Sequence, residues 1–133
     1  MTKKRVMIVD DAALMRMTVS NTLRADPNLL LVGSAANGKE ALEKLSTLNP
    51  DLILLDIEMP EMDGLEFLRH ARLKSKAKIV VLSSVTPTGS PRAAKARSLG
   101  ADAVISKPSG AVSLDLQEKR GSEILQVINK LLS

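Results

Sequence analysis

The chain alternates five times between a short apolar run and a longer stretch in which apolar residues recur every three or four positions. Short runs rich in branched aliphatic residues are typical of strands, whereas the longer periodic stretches are typical of amphipathic helices. Regular alternation of the two predicts an α/β fold, with a parallel sheet covered by helices on both faces. The predicted strands are Arg5–Val9, Leu29–Val32, Leu52–Leu55, Lys78–Leu82 and Asp102–Ser106.

Capping and turn residues mark where the predicted helices begin and end. Asn37-Gly38 precedes an apolar stripe, and Asn49-Pro50 stops it. Ser90-Pro91 combines an N-cap residue with proline at the first helical position, and Gly100 ends that helix.

The last helix is predicted to begin at Ser122-Glu123, because Ile124, Leu125 and Ile128 follow at helical spacing. Residues 109–121 have no clear period, so we expect a loop there that leads into this helix.

The length of 133 residues fits one domain that spans residues 1–133. Right-handed crossovers leave few ways to connect five parallel strands. We expect a doubly wound sheet with the strand order 2-1-3-4-5, an order that is borrowed from flavodoxin-like folds rather than worked out from the sequence.

Composition excludes several classes of function. There is no cysteine, which excludes disulfides and thiolate metal sites and is typical of a cytoplasmic protein. Lys plus Arg number 19 against 15 for Asp plus Glu, but the basic residues are scattered and Phe67 is the only Phe, Tyr or Trp. We therefore expect a solvated basic surface and no nucleic-acid partner. No apolar run approaches the roughly 20 residues of a membrane helix, so no membrane partner is expected.

Polar residues follow four of the five predicted strands. Asp10 and Asp11 follow the first strand, Asp56 the third, Ser83 the fourth and Lys107 the fifth. The carboxyl ends of parallel strands lie at one edge of the sheet, where ligands of such folds bind. In the expected order the first and third strands are neighbours, which brings the three aspartates together.

Three carboxylates in one place repel each other, and a hard divalent cation relieves that repulsion. Oxygen ligands favour Mg²⁺, with Mn²⁺ as the alternative. Asp56 is then a nucleophile toward phosphorus, while Lys107 neutralises charge on the transferred oxygens and Ser83 offers a hydroxyl. Each of these residues alone is more often a cap or a loop residue; their joint occurrence at the correct strand ends is what favours a phosphoryl site.

At these residues the sequence resembles the receiver domain of two-component response regulators. The resemblance covers nearly the whole chain and rests on three segments: Val6–Asp11, Leu54–Gly64 and Lys107-Pro108. It implies a phosphorylation-dependent switch, in which Asp56 receives phosphate from the phosphohistidine of a histidine kinase and controls an output domain or a target protein.

The resemblance also implies a metal-ligand set. Asp11 would bind Mg²⁺ directly, Asp10 largely through water, and Glu58 through its backbone carbonyl, with Asp56 as a further member of the set. Ser83 stands where the family more often has threonine, which retains the hydroxyl.

A closer resemblance is to the receiver domain of the chemotaxis protein-glutamate methylesterase, carried by Asp56–Pro60, Leu82–Ser84 and Lys107–Leu116. The chain contains no Gly-x-Ser-x-Gly elbow and a single histidine, so we expect no esterase activity of its own. It is expected to be the regulatory domain of such a protein or a stand-alone relative. One departure is Val104, since the family usually has Tyr or Phe there, which swings inward on phosphorylation.

Three other functions remain open at this stage. The first is a phosphatase with an aspartyl-phosphate intermediate, although its usual second Asp is replaced by Glu58. The second is a flavodoxin-like cofactor binder, which the acidic loop after the first strand disfavours. The third is a degenerate receiver that acts only as a docking scaffold, which the intact acidic set disfavours.

Overall fold

The computed structural model describes residues 3–57, 64–83, 91–107 and 114–132, except for the side chains of 114–118. It contains five strands and five helices in strict alternation. The strands are β1 (Lys4–Val9), β2 (Leu29–Ala35), β3 (Leu52–Asp56), β4 (Lys78–Ser83) and β5 (Ala103–Ser106). The helices are α1 (Ala13–Arg24), α2 (Gly38–Leu48), α3 (Gly64–Lys74), α4 (Pro91–Ser98) and α5 (Leu114–Leu132).

All five strands are parallel and lie in the order β2-β1-β3-β4-β5, which confirms the predicted doubly wound sheet. β2 runs to Ala35 rather than to Val32, because Ser34 and Ala35 pair with Ile8 and Val9 of β1. The register places Val9 beside Leu55 and Asp56 beside Leu82, so the ends of β1, β3 and β4 are level at one edge.

β3 is buried along its whole length, because helices cover both faces of the sheet. Its alternate side chains enter two separate cores: Ile53 and Leu55 point into one, and Leu52 and Leu54 into the other. The first core is closed by α2, α3 and α4, and the second by α1 and α5. This double burial is why the strand is apolar at every position before Asp56.

The predicted apolar faces of the helices lie against these cores. Met15, Val19 and Leu23 are the buried residues of α1. In α2, Ala41 and Leu45 are buried, and Asn37 caps the helix by accepting a hydrogen bond from the Glu40 amide at 2.8 Å.

The predicted start of the last helix is wrong. α5 begins at Leu114 rather than at Ser122, so residues 114–121 are helical instead of forming a loop. Most residues that follow Leu114 are good helix formers. Gly121 is a poor one, but the helix continues through it. Gly121 is buried within α5, where a Cβ would lie 3.5 Å from Thr22 of α1. That is an ordinary contact distance, so the packing does not require glycine here, and the residue is not a helix boundary. Residues 108–113 lie outside the described residues.

Candidate functional site

Three polar side chains are buried in the described part of the chain, and all three lie at the carboxyl edge of the sheet. They are Asp10, Asp56 and Ser83, with exposures of 2%, 1% and 2%. Asp10 follows β1, Asp56 ends β3, and Ser83 ends β4, so neighbouring strands deliver them to one place. Buried ionisable groups are costly unless they are compensated, which makes this edge the candidate site.

Lys107 supplies a positive charge to the site from the end of β5. Its Nζ lies 2.9 Å from Asp56 Oδ1 and 3.6 Å from Asp10 Oδ2. The backbone places this side chain, because the Lys107 amide donates to the Ser83 carbonyl at 2.9 Å. Burial alone would lower the pKa of Lys107, but the hydrogen bond to Asp56 and the three nearby aspartate charges outweigh it and raise that pKa. Lys107 is therefore a permanent cation at neutral pH.

The three aspartates converge as the sequence predicts. Asp10, Asp11 and Asp56 each offer a carboxylate oxygen within 4.8 Å of the others. Asp10 and Asp56 are buried, whereas Asp11 is exposed. One ammonium faces three carboxylates, so the cluster has an excess of negative charge.

Burial raises the pKa of Asp10, against the lowering effects of the Ala12 amide and of Lys107. The Ala12 amide donates to Asp10 Oδ1 at 2.9 Å, while Oδ2 receives no hydrogen bond from the described residues. A buried carboxylate oxygen without a hydrogen bond, in a group of three converging carboxylates, fits a hard divalent cation such as Mg²⁺. The residues present are thus compatible with the metal that the sequence predicts.

Not every predicted site residue can be placed. Glu58 lies outside the described residues. Ser83 lies one position beyond Leu82, which pairs with Asp56 in the register of β3 and β4. Val104 is buried in β5, with 8% exposure, and packs in the same core as Ala93 and Ala96 of α4.

Gly64 is required for the close approach of α3 to the site. A Cβ on Gly64 would collide with the backbone carbonyl of Asp56 and with the Cα of Ile57. The first turn of α3 therefore lies directly against the backbone that carries Asp56. This is the physical reason for glycine after Asp63.

Sequence reasoning missed three arginines beside the site. Arg16 donates to the Asp10 carbonyl at 2.7 Å, Arg92 to the Ile57 carbonyl at 2.8 Å, and Arg120 to the Lys107 carbonyl at 3.1 Å. The helix dipole disfavours cations near a helix N-terminus, so Arg16 and Arg92, early in α1 and α4, carried a sequence signal that we did not use.

None of the helices described here combines the length and the hydrophobicity that a bilayer-crossing segment requires.

Comparison with known proteins identifies the family. The sequence model of one protein family, the response regulator receiver domain, matches residues 6–118. The chain is 46% identical over 87% of its length to a protein-glutamate methylesterase/protein-glutamine glutaminase of Halalkalibacterium halodurans, and 44% identical over 96% of its length to one of Carboxydothermus hydrogenoformans. It spans only 34% and 36%, respectively, of the lengths of these relatives.

Solved structures agree with the family match. The response regulator domain of Thermotoga maritima CheB is 37% identical and superposes with a TM-score of 0.87, covering 96% of this chain and 95% of that one. A chain in the crystal structure of the P1 domain of CheA3 in complex with CheY6 from R. sphaeroides is 53% identical, with a TM-score of 0.83 and coverage of 99% and 98%. These matches favour a receiver domain over the phosphatase and the flavodoxin-like cofactor binder. The chain belongs to the response regulator receiver family.

Proposed function

We propose that this chain is a phosphorylation-dependent switch of a two-component chemotaxis system, in which Asp56 accepts the phosphoryl group of a histidine kinase's phosphohistidine. The observation that carries the proposal is the buried pairing of Lys107 Nζ with Asp56 Oδ1 at 2.9 Å, beside two further aspartates. A buried carboxylate held by a lysine at an acidic, oxygen-rich edge suits acyl phosphate formation.

Transfer of the phosphoryl group needs a nucleophile and positive charge that offsets the negative charge on the phosphoryl oxygens. A carboxylate oxygen of Asp56 forms a bond to phosphorus while the phosphorus–nitrogen bond of the phosphohistidine breaks. The leaving imidazole keeps the electron pair of that bond and takes up a proton. Lys107 is protonated throughout, because its pKa is raised, and its charge offsets the negative charge on the phosphoryl oxygens.

Asp10, Asp11 and Asp56 are the described residues that would hold Mg²⁺, with the backbone carbonyl of Glu58 as a further ligand. The cation supplies Lewis-acid stabilisation of the phosphoryl oxygens when it is bound. Ser83 would donate its hydroxyl to the phosphoryl group once Asp56 is modified. With Val104 in place of an aromatic residue, the hydroxyl is the part of the usual switch that this chain retains.

The two relatives above suggest the setting of the switch. Their length is about three times that of the matched region, so we propose that this chain corresponds to the regulatory domain of a methylesterase and itself carries no esterase activity. A stand-alone response regulator is the alternative. The complex of the P1 domain of CheA3 with CheY6 supports a domain of that kind as the phosphodonor. In both settings we propose a cytoplasmic protein.

The docking surface of the donor must border the carboxyl edge, because the phosphohistidine has to reach Asp56. Leu14 and Met17 of α1 follow Asp11 closely and are 73% and 59% exposed. Exposed apolar side chains beside a reactive edge are suited to a protein partner.

The test is incubation with Mg²⁺ and a small acyl phosphate, followed by mass spectrometry of the intact protein and its peptides. We expect one phosphoryl group, on Asp56, and none in Asp56→Asn. Asp51→Asn is the matched control, because Asp51 lies at the opposite end of β3 and is exposed. Labelling at another residue, or none in the unmodified chain, would remove the mechanism.

A further inference from the structure

The backbone of three strand ends at the site is held by arginines from three different helices. Arg16 of α1 donates to the carbonyl of Asp10, Arg92 of α4 to that of Ile57, and Arg120 of α5 to that of Lys107. All three side chains are part-buried. We propose that these arginines are positioning residues, which fix the backbone that presents the metal ligands, the nucleophile and the lysine. This inference rests on the proposed phosphoryl transfer.

The three contacts have one common form. In each, a guanidinium reaches past its own helix to a backbone carbonyl at or directly after a site residue: Asp10 itself, Ile57 after Asp56, and Lys107 itself. A charge-assisted hydrogen bond to a carbonyl is stronger than a neutral one. The carbonyl is therefore held in one orientation, and with it the peptide unit from which the functional side chain projects.

The location of each contact predicts which step it supports. Arg16 holds the segment that carries Asp10 and Asp11, two of the candidate metal ligands. Arg92 holds the peptide that follows the nucleophile, and Arg120 holds the residue whose Nζ pairs with that nucleophile. The contact of Arg16 therefore acts on metal affinity, and that of Arg120 on the rate of transfer once metal is saturating. The contact of Arg92 acts on both, because Ile57 lies between Asp56 and Glu58, two of the candidate metal ligands.

The charge of the arginines supports the same role. Cations at the start of α1 and α4 are unfavourable for the helix dipole, so Arg16 and Arg92 are placed against helix stability. Each of them donates to a carbonyl named above, at the edge where three carboxylates converge. The planar guanidinium, with its fixed set of N–H donors, also orients a carbonyl group more strictly than a lysine ammonium does.

The experiment replaces each arginine by methionine, which keeps the length of the stem and removes the donors. Arg24→Met and Arg97→Met are the controls within α1 and α4, and Lys119→Met is the control within α5, since all three controls are exposed. Mg²⁺ affinity is measured by calorimetry, and the initial rate of Asp56 labelling by a small acyl phosphate is measured at saturating Mg²⁺.

We expect Arg16→Met to weaken Mg²⁺ binding about tenfold, the usual effect of losing a residue that orients metal ligands. Its labelling rate should recover at saturating Mg²⁺. Arg120→Met should keep its Mg²⁺ affinity and label about tenfold more slowly, because a displaced reacting group lowers the rate without altering binding. Arg92→Met should lose both Mg²⁺ affinity and labelling rate, because the peptide it holds joins the nucleophile to the next candidate metal ligand. The controls should match the unmodified chain in both measurements.

Lysine variants separate positioning from charge and from folding. Arg16→Lys, Arg92→Lys and Arg120→Lys keep the charge and an N–H donor group but lose the planar guanidinium, so each should recover part of the loss that its methionine counterpart shows. They also test the proposal if a methionine variant fails to fold. Folded variants that match their controls would overturn the inference while the unmodified chain still labels on Asp56. Absence of labelling in the unmodified chain would instead overturn the proposed function.

Discussion

Lys107 Nζ lies 2.9 Å from Asp56 Oδ1, and the two side chains are 13% and 1% exposed. Since Asp10 and Asp11 lie in the same cluster, this single cation cannot neutralise the site. The carboxylates of the cluster therefore outnumber the one ammonium that contacts them, which suits a divalent cation, while the lysine stays available to the phosphoryl group. The balance between the lysine and the three carboxylates leads to the first two predictions.

Replacing Lys107 by alanine should destabilise the protein without abolishing metal binding. Removal of one partner from a buried ion pair leaves an uncompensated charge and costs about 3 kcal/mol in the free energy of unfolding. Mg²⁺ should restore much of that loss, because its charge replaces the missing ammonium. Urea unfolding with and without Mg²⁺ measures both effects.

The matched control for that change is Lys78→Ala, at the exposed start of β4. It should change the unfolding free energy little, with no dependence on Mg²⁺. We also expect phosphorylated Lys107→Ala to lack the conformational response of the unmodified chain, measured by amide chemical shifts in α4. An unchanged response would contradict the role of Lys107.

Asp10→Asn should stabilise the protein at neutral pH in the absence of Mg²⁺. The folded-state pKa of Asp10 lies above its ordinary value of 3.8, chiefly because of burial, so its ionised form costs stability at neutral pH. That cost disappears as the pH falls through the folded-state pKa toward 3.8. The gain at neutral pH should be about 1 kcal/mol, as is common when a functional charge is removed.

Asp26→Asn is the control, because the pKa of Asp26 is shifted in the opposite direction to that of Asp10. The hydrogen bonds from Asn129 and from the Asn28 amide hold the pKa of Asp26 below its ordinary value, so its ionised form stabilises the fold. This replacement should be neutral or destabilising at neutral pH. Unfolding by urea at several pH values measures both variants; destabilisation of Asp10→Asn at neutral pH would refute the prediction.

Glu40→Gln should lower stability at neutral pH but not in acid. Its carboxylate accepts from Lys44 Nζ at 2.7 Å and from the Ala36 amide at 3.2 Å, and these contacts lower the pKa of Glu40 below its ordinary value of 4.5. A lowered pKa gives stability that is present above 4.5 and is lost as the pH falls through the folded-state value.

Glu40 and Lys44 are partly exposed, so Glu40→Gln should lower the free energy of unfolding at neutral pH by about 0.5 kcal/mol, which is typical of one helix ion pair. Urea unfolding at neutral pH and in acid gives the comparison with the unmodified chain. A difference that persists equally in acid would show that the carboxylate charge is not the cause. Glu43→Gln is the control, since Glu43 is an exposed residue of the same helix.

Gly121→Ala should stabilise the protein by about 1 kcal/mol. Gly121 is interior to α5, where alanine is the better helix former, and its Cβ would meet Thr22 at 3.5 Å, an ordinary contact distance. Gly100→Ala should do the opposite, because Gly100 has φ of +111° and its Cβ would lie 2.7 Å from Arg72 Cδ. Thermal unfolding distinguishes them, and destabilisation by Gly121→Ala would show that α1 and α5 have no room for the methyl group.

The sequence alone determined the five strands, the sheet class and the strand-end positions of Asp10, Asp11, Asp56 and Lys107, because period and strand-end position are local properties of the chain. The grouping of these residues followed only with the strand order borrowed from flavodoxin-like folds, which the tertiary structure has. The start of α5 could not be read locally, since Gly121 lowers the local helix propensity and only the packing of the whole helix outweighs that cost. The tertiary structure also decided that Arg92 and Arg120 reach backbone carbonyls 35 and 13 residues away, whereas the partner of Arg16 lies only 6 residues before it. An arginine on a helix has many possible partners, and only the packing of that helix on the sheet selects one.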